Sequence, residues 1–140
     1  MTIQTYLNFD GRCDEALAYY KKTLGAEVKL LMRFKDNPQP PQEGHAPDPA
    51  YAEKVMHSEF TVGDTTIMAT DGYAKSDMKF EGFQLAYSMK SDADAKKAFD
   101  ALADGGEVSQ PLAETFFATS FGMLADRFGV RWMIMVPRPT

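Results

Sequence analysis

The sequence predicts an α+β fold built from two similar modules, each a strand, a helix and three further strands. Three observations predict it. Gly25-Ala26-Glu27-Val28 recurs later in the chain as Gly105-Gly106-Glu107-Val108, each motif closing a helical stretch and opening a strand. Gln4, in the first strand-like run, is matched at the same interval by Gln84. The order of periodic segments that surrounds these markers is the same in both halves. Two such modules leave a groove between them, where small-molecule chemistry can sit.

Residues 2–9 alternate Ile3, Leu7 and Phe9 with Gln4, Tyr6 and Asn8, the pattern of a half-buried strand. Asp10-Gly11 breaks the run, and Asp14 and Glu15 suit the electropositive first turn of a helix. Leu17, Tyr20 and Leu24 recur at helical spacing, and Gly25 supplies the left-handed stop. Residues 27–34 form a second strand with Val28, Leu30, Met32 and Phe34 on one face. The stretch holding Pro38, Pro40, Pro41, Pro47 and Pro49 cannot form regular structure, which predicts a lid or surface loop. Residues 55–62 and 65–71 are two strands joined through Gly63-Asp64.

The modules span approximately 1–72 and 82–140, joined by a linker at 73–81 within a single domain of 140 residues. Residues 83–90 make the fifth strand. Ser91 caps the second helix, with Asp94 in the reciprocal position of a capping box. Ala95, Ala98, Phe99 and Leu102 form its apolar stripe, and Gly105-Gly106 end it. Strands follow at about 107–113, 116–124 and 130–136, with residues 126–129 turning between the last two.

Charge and composition narrow the function. The net charge of −5 argues against a nucleic-acid partner, since phosphate binding needs a basic face. The cationic pair Lys96-Lys97 suits a solvated helix face. The single Cys13 excludes an internal disulfide and a cysteine-based zinc site. No apolar run approaches the ~20 residues that a membrane span needs. The first strand pattern starts at once, without the regions of a signal peptide, so a cytoplasmic protein is expected.

Each helix must cover one face of its strands, so apolar residues point there. That assigns Ile3, Leu7 and Phe9 to the helix side and Gln4, Tyr6 and Asn8 to the opposite, concave side. By the same logic Met56, Ser58, Phe60 and Val62 turn inward, leaving Val55, His57, Glu59 and Thr61 in the concavity. Gln84, Ala86 and Ser88 are concave in the fifth strand. In the last strand Trp132, Ile134 and Val136 alternate with Met133 and Met135, so alternation alone does not separate its faces. Its methionines would floor the groove, where a flexible thioether adapts to varied ligands.

Several segments carry a resemblance. They are Tyr6-Leu7-Asn8-Phe9 with Glu15-Ala16 and Tyr20, His57-Ser58-Glu59-Phe60, and Met68-Ala69-Thr70-Asp71. The most specific are Glu114-Thr115-Phe116-Phe117, Phe121-Gly122, and the run Asp126-Arg127-Phe128-Gly129-Val130-Arg131-Trp132-Met133-Ile134. Over essentially its whole length the chain resembles the vicinal oxygen chelate superfamily of glyoxalases, fosfomycin-resistance proteins and extradiol dioxygenases, most closely its PhnB-like branch. The resemblance implies a glyoxalase-like fold, with the two modules forming a curved, incompletely closed mixed sheet, and a homodimer. It also implies a divalent metal held by the first and last strands of each module. Carried over by position, those ligand sites fall at Gln4, Met68, Gln84 and Met133. A hard cation wants imidazole or carboxylate donors, and a thioether suits soft copper instead. No metal and no other cofactor is therefore expected.

His57 and Glu59 are the remaining ionisable pair on the predicted concave face, i and i+2 on one strand. As a catalytic pair, His57 would act as a base near neutral pH, oriented by Glu59. As structural groups they would bond across strands or sit at a solvated edge. Gln4, Tyr6, Met68, Thr70, Gln84, Phe117, Trp132 and Met133 are the expected ligand-binding residues. Arg33 is a candidate for an anionic ligand or a plain surface charge, His45 is expected in solvent, and Cys13 is expected to be structural. No phosphate-binding loop appears, nor the glycine-rich strand end with which methyltransferases hold S-adenosylmethionine. Function is expected to be metal-free binding of an unknown small molecule in the groove. The alternatives are a metal-dependent lyase, isomerase or dioxygenase with a rearranged site at His57 and Glu59, and a non-catalytic dimeric interaction module.

Overall fold

Alternation places Leu7 and Phe9 in the first core, but the ladder that holds them is short. In the computed structural model, which describes residues 1–38, 49–72 and 79–139, strand β1 spans only Tyr6–Asn8. Its partner β4 (Thr65–Thr70) runs parallel, and pairing extends backward only as far as the Thr5 carbonyl, which accepts from the Met68 amide. Residues 2–4 have no strand partner among the described residues, and Ile3 is exposed rather than on the helix side. Helix α1 (Cys13–Leu24) ends where Gly25 adopts φ 69°, and strand β2 (Glu27–Arg33) follows directly. Phe34–Asp36 turns into a 3-10 helix, which cuts β2 one residue short of the expected end. Strand β3 (Val55–Val62) and β4 form the hairpin foreseen at Gly63-Asp64. His45, with Pro40, Pro41 and Pro47 of the predicted loop and residues 73–78 of the predicted linker, lies outside the described residues.

Helix α1 covers one face of the sheet β1-β4-β3-β2. Leu7, Ala16, Leu17, Tyr20, Phe60, Ile67 and Ala69 are buried there, with Tyr20 stacked on Phe60 at 5.8 Å. Each large apolar side chain removed from water contributes roughly 1.5–3 kcal/mol before entropy is counted. Two register shifts correct the predicted facing. One falls between Val28 and Leu30, so Val28 pairs with Phe60 while Leu30 pairs with Glu59 on the other face. The other falls between Met32 and Arg33, opposite the start of β3. Val55 is accordingly buried rather than grouped with His57, and Met56 is only half-buried.

The second half repeats the plan. Strand β5 (Leu85–Ser88) is shorter than expected and leaves Gln84 outside it. Helix α2 (Asp92–Ala103) starts at Ser91, whose hydroxyl accepts from the Asp94 amide at 3.1 Å as foreseen. Strands β6 (Glu107–Ala113), β7 (Ala118–Ala125) and β8 (Arg131–Pro137) complete the sheet β5-β8-β7-β6. Its core gathers Ala95, Phe99, Leu102, Leu124, Trp132 and Ile134. Gly122 lets α2 approach, because a Cβ there would lie 2.7 Å from the Phe99 ring. A bulge between Val108 and Gln110 repeats the one between Val28 and Leu30. Among the described residues eight strands thus form two four-stranded mixed sheets, neither closed into a barrel, in the predicted α+β order. By internal contacts the chain divides into units Met1–Met78 and Lys79–Thr140.

Candidate functional site on the open sheet faces

In the first unit the side of the sheet opposite α1 carries the chemistry. Register sets its rows: Tyr6 pairs with Met68, Met68 with Glu59, and Glu59 with Leu30. One step along the same face, Asn8 pairs with Thr70 and Met32 with His57. His57 and Glu59 are two residues apart on β3, about 6–7 Å between Cβ atoms, yet their side chains close the gap. His57 Nε2 stands 3.4 Å from Glu59 Oε2, with roughly a third or less of each side chain exposed. The Tyr6 ring meets the imidazole edge-on at 5.8 Å between centroids. His57, Glu59 and Met68 are half-buried, and Tyr6 is more open. The arrangement offers an acid–base pair, an aromatic edge and a thioether on one face.

The remaining expected residues separate. Thr70 is buried, and its hydroxyl is engaged by backbone: it donates to the Met56 carbonyl at 2.7 Å and accepts from the Gly72 amide at 2.9 Å. Gln4 is exposed ahead of β1. In the second unit Met133 pairs with Ala86 on one side and Met123 on the other, facing away from α2. Trp132 points the opposite way. It is 3% exposed in the core, and its indole Nε1 donates to the buried Asp126 carboxylate at 2.9 Å. Strict alternation on β8 therefore resolves the faces that sequence left open, and Trp132 does not share one with Met133. Phe117 is 41% exposed and meets Phe121 edge-on at 5.1 Å. Gln84 is exposed ahead of β5.

The resemblance implies a divalent metal at Gln4, Met68, Gln84 and Met133. Its positions carry two amides and two thioethers, and His57 with Glu59 supplies only two hard donors from one strand. Among the described residues no three His, Cys, Asp or Glu side chains gather where they could hold an ion. Arg33 is already engaged: its guanidinium grips both Asp14 carboxylate oxygens, at 2.9 and 3.1 Å, and donates to the Glu53 carbonyl. That pairing holds the Asp14 carboxyl below the usual carboxylate range. Cys13 is fully buried with its sulfur 3.8 Å from the Ser58 hydroxyl, and burial pushes its thiol up to about 12.

Sequence reasoning missed Asp71. Its buried carboxylate accepts from the amides of Gly11 and Cys13, each at 2.8 Å, and of Val55 at 3.0 Å. It ties the end of β4 to the start of α1 and of β3, which fixes the strands that carry His57 and Met68. No local pattern marks such a role, because its partners are distant in sequence.

Comparison with known proteins agrees with this architecture. The family model described as 3-demethylubiquinone-9 3-methyltransferase matches residues 1–135. The Escherichia coli protein YjdN is 33% identical over 97% of this chain and 95% of its own. The crystal structure of PA1353 from Pseudomonas aeruginosa is 36% identical, with a TM-score of 0.83 and 99% of each chain covered. A PhnB protein structure from Bacillus cereus is 25% identical, with a TM-score of 0.77 over 97% of this chain and 99% of that one. A glyoxylase/bleomycin resistance protein/dioxygenase domain from Frankia shares the fold at a TM-score of 0.63, covering 99% and 92% of the two chains at 17% identity. With its two βαβββ halves and a family match over nearly its full length, the chain belongs to the PhnB-like family of the vicinal oxygen chelate fold.

Proposed function

We propose that this chain binds a small organic molecule on the open face of the β1–β4 sheet, without a divalent metal. The observation that carries the reading is the His57–Glu59 pair, held at 3.4 Å on a half-buried face beside Tyr6 and Met68. A few convergent polar groups set among apolar and aromatic ones are what a small-molecule site requires. Methyl transfer is not carried over from the family description. The strand-to-helix junctions at 9–12 and 89–91 hold one glycine between them, Gly11, whereas a nucleotide-type cofactor needs several. We further propose a cytoplasmic homodimer. Phe83, Phe116 and Phe117 expose 45%, 90% and 41% of their surface, an apolar display that favours a second copy.

The test is a screen of a small-fragment library by amide chemical-shift mapping on the full chain. Binders are expected to move the amides around Tyr6, His57, Glu59 and Met68. His57→Ala and Glu59→Gln should each weaken the best binder by about tenfold, as expected for loss of one charge-assisted contact. Hits that map elsewhere, or that bind both variants as well as the parent, would sink the reading.

A further inference from the structure

The second sheet presents a different chemistry on the face opposite its helix. Where register in the first unit places Glu59 and His57, the equivalent positions of the second hold Met123 and Phe121. Met123 lies directly opposite Met133 in the β7–β8 ladder, and Met135 follows two residues on, opposite Phe121. All three methionines are half-buried. Hydrogen-bonded neighbours on β5 are Ala86 beside Met133 and Ser88 beside Met135, too small to keep the thioethers apart. The two rows, completed by Gln110 and Ala113 on β6, contain no lysine, arginine, aspartate or glutamate.

Directly opposite residues place their Cβ atoms about 4.5–5.5 Å apart, and residues i and i+2 on a strand about 6.8 Å apart. A methionine sulfur sits two bonds beyond Cβ on a side chain with three rotatable bonds, so it can swing toward a shared centre. Three sulfurs around one ion at about 2.3 Å, the length usual for metal–sulfur ligation, stand about 4 Å from each other. The strand spacing brackets that separation. Neutral thioethers select soft monovalent ions and reject magnesium, calcium and manganese. The Phe121 ring in the adjacent position adds an aromatic surface that attracts a cation.

We infer that Met123, Met133 and Met135 form a three-sulfur site for a soft monovalent ion of the copper(I) class. The site shares no residue with the ligand face of the first unit, so either reading can fail without the other. Thioethers do not titrate, which distinguishes this site from one built on histidine or on Cys13.

The experiment titrates the full chain, labelled with carbon-13 at its nine methionine methyl groups, with silver(I) as a redox-inert ion of the same charge and softness. Silver is expected to shift the methyl signals of Met123, Met133 and Met135 alone, saturating at one equivalent, equally at pH 5.5 and 7.5. Zinc(II) should shift none of them. Single Met→Leu variants conserve volume; they assign the signals, and Met133→Leu should weaken silver binding at least tenfold. Shifts confined to other methionines, a site that disappears at the lower pH, or no saturable change in the parent protein would overturn the inference. The parent's own shift pattern decides even where a variant is poorly folded.

Discussion

Cys13 and Asp71 meet at the start of α1, where the Cys13 amide donates to the Asp71 carboxylate. Burial is the largest cause of the raised thiol pKa, with the Asp71 and Asp14 charges adding to it and the Ser58 hydroxyl opposing. The folded chain thus holds the thiol proton at about 12, against 9.0 for the free group. Stability from this group is complete below pH 9 and is lost as pH rises toward 12, at up to about 1.4 kcal/mol per pH unit. Urea unfolding between pH 8 and 11 should therefore show the parent losing ground against Cys13→Ala as pH rises. Parallel curves would mean that the thiol titrates alike in the folded and unfolded chain. At this scale the sequence was partly legible. His57 and Glu59 were placed on one face by period-two alternation alone, and they are there. Asp71 was invisible, because its three amide partners come from a loop, a helix start and a strand start, and no periodicity links those places.

The strand–helix–strand junctions show what a repeat preserves at the level of the element. Gly25 and Gly105 both take positive φ, at 69° and 79°, but only Gly25 is itself the helix cap, since α2 ends at an extended Asp104 one residue before Gly105. The next residue differs, Ala26 in one half and Gly106 in the other. Sequence suggests that Gly105 and Gly106 together end the helix. In the structure α2 ends at Asp104, Gly105 supplies the positive φ of the turn that follows, and Gly106 serves packing: a Cβ there would fall 2.2 Å from the Ala125 carbonyl oxygen. Gly25 has nothing within 4 Å of its would-be Cβ, so Gly25→Ala meets only the left-handed backbone penalty, about 1 kcal/mol. Gly106→Ala must push β6 away from β7 and should cost about 3 kcal/mol or more. Guanidinium midpoints of the two variants check the ranking, and equal shifts would show that the β6–β7 approach yields easily. Element order and both helix ends were legible because capping and glycine chemistry are local. The ends of β1 and β5 were not, since a parallel edge strand extends only as far as its partner bonds it.

Over the whole molecule the duplication is conserved in backbone and divided in chemistry. Matching glycines, matching bulges and the same strand order come from positions where geometry leaves little choice. The open faces carry no such constraint, and one became ionisable and aromatic while the other became a thioether surface. That is why the fold could be anticipated from one sequence while the ligand could not. The charge balance is a molecular property of the same kind, readable without coordinates. A net charge of −5 repels a polyanion unless cations cluster on one surface. Adjacent lysines occur as Lys21-Lys22 on α1 and Lys96-Lys97 on α2, and Lys96 is paired with Asp100 at 2.8 Å, one helical turn on. Such an exposed pair adds little stability, but it halves the local positive charge. A labelled 20-base-pair duplex should therefore migrate unshifted at 20 mM salt with the protein at 50 µM, conditions that exaggerate any electrostatic attraction. Retardation that vanishes at 200 mM salt and in Lys96→Ala/Lys97→Ala would instead reveal a phosphate-binding surface centred on α2.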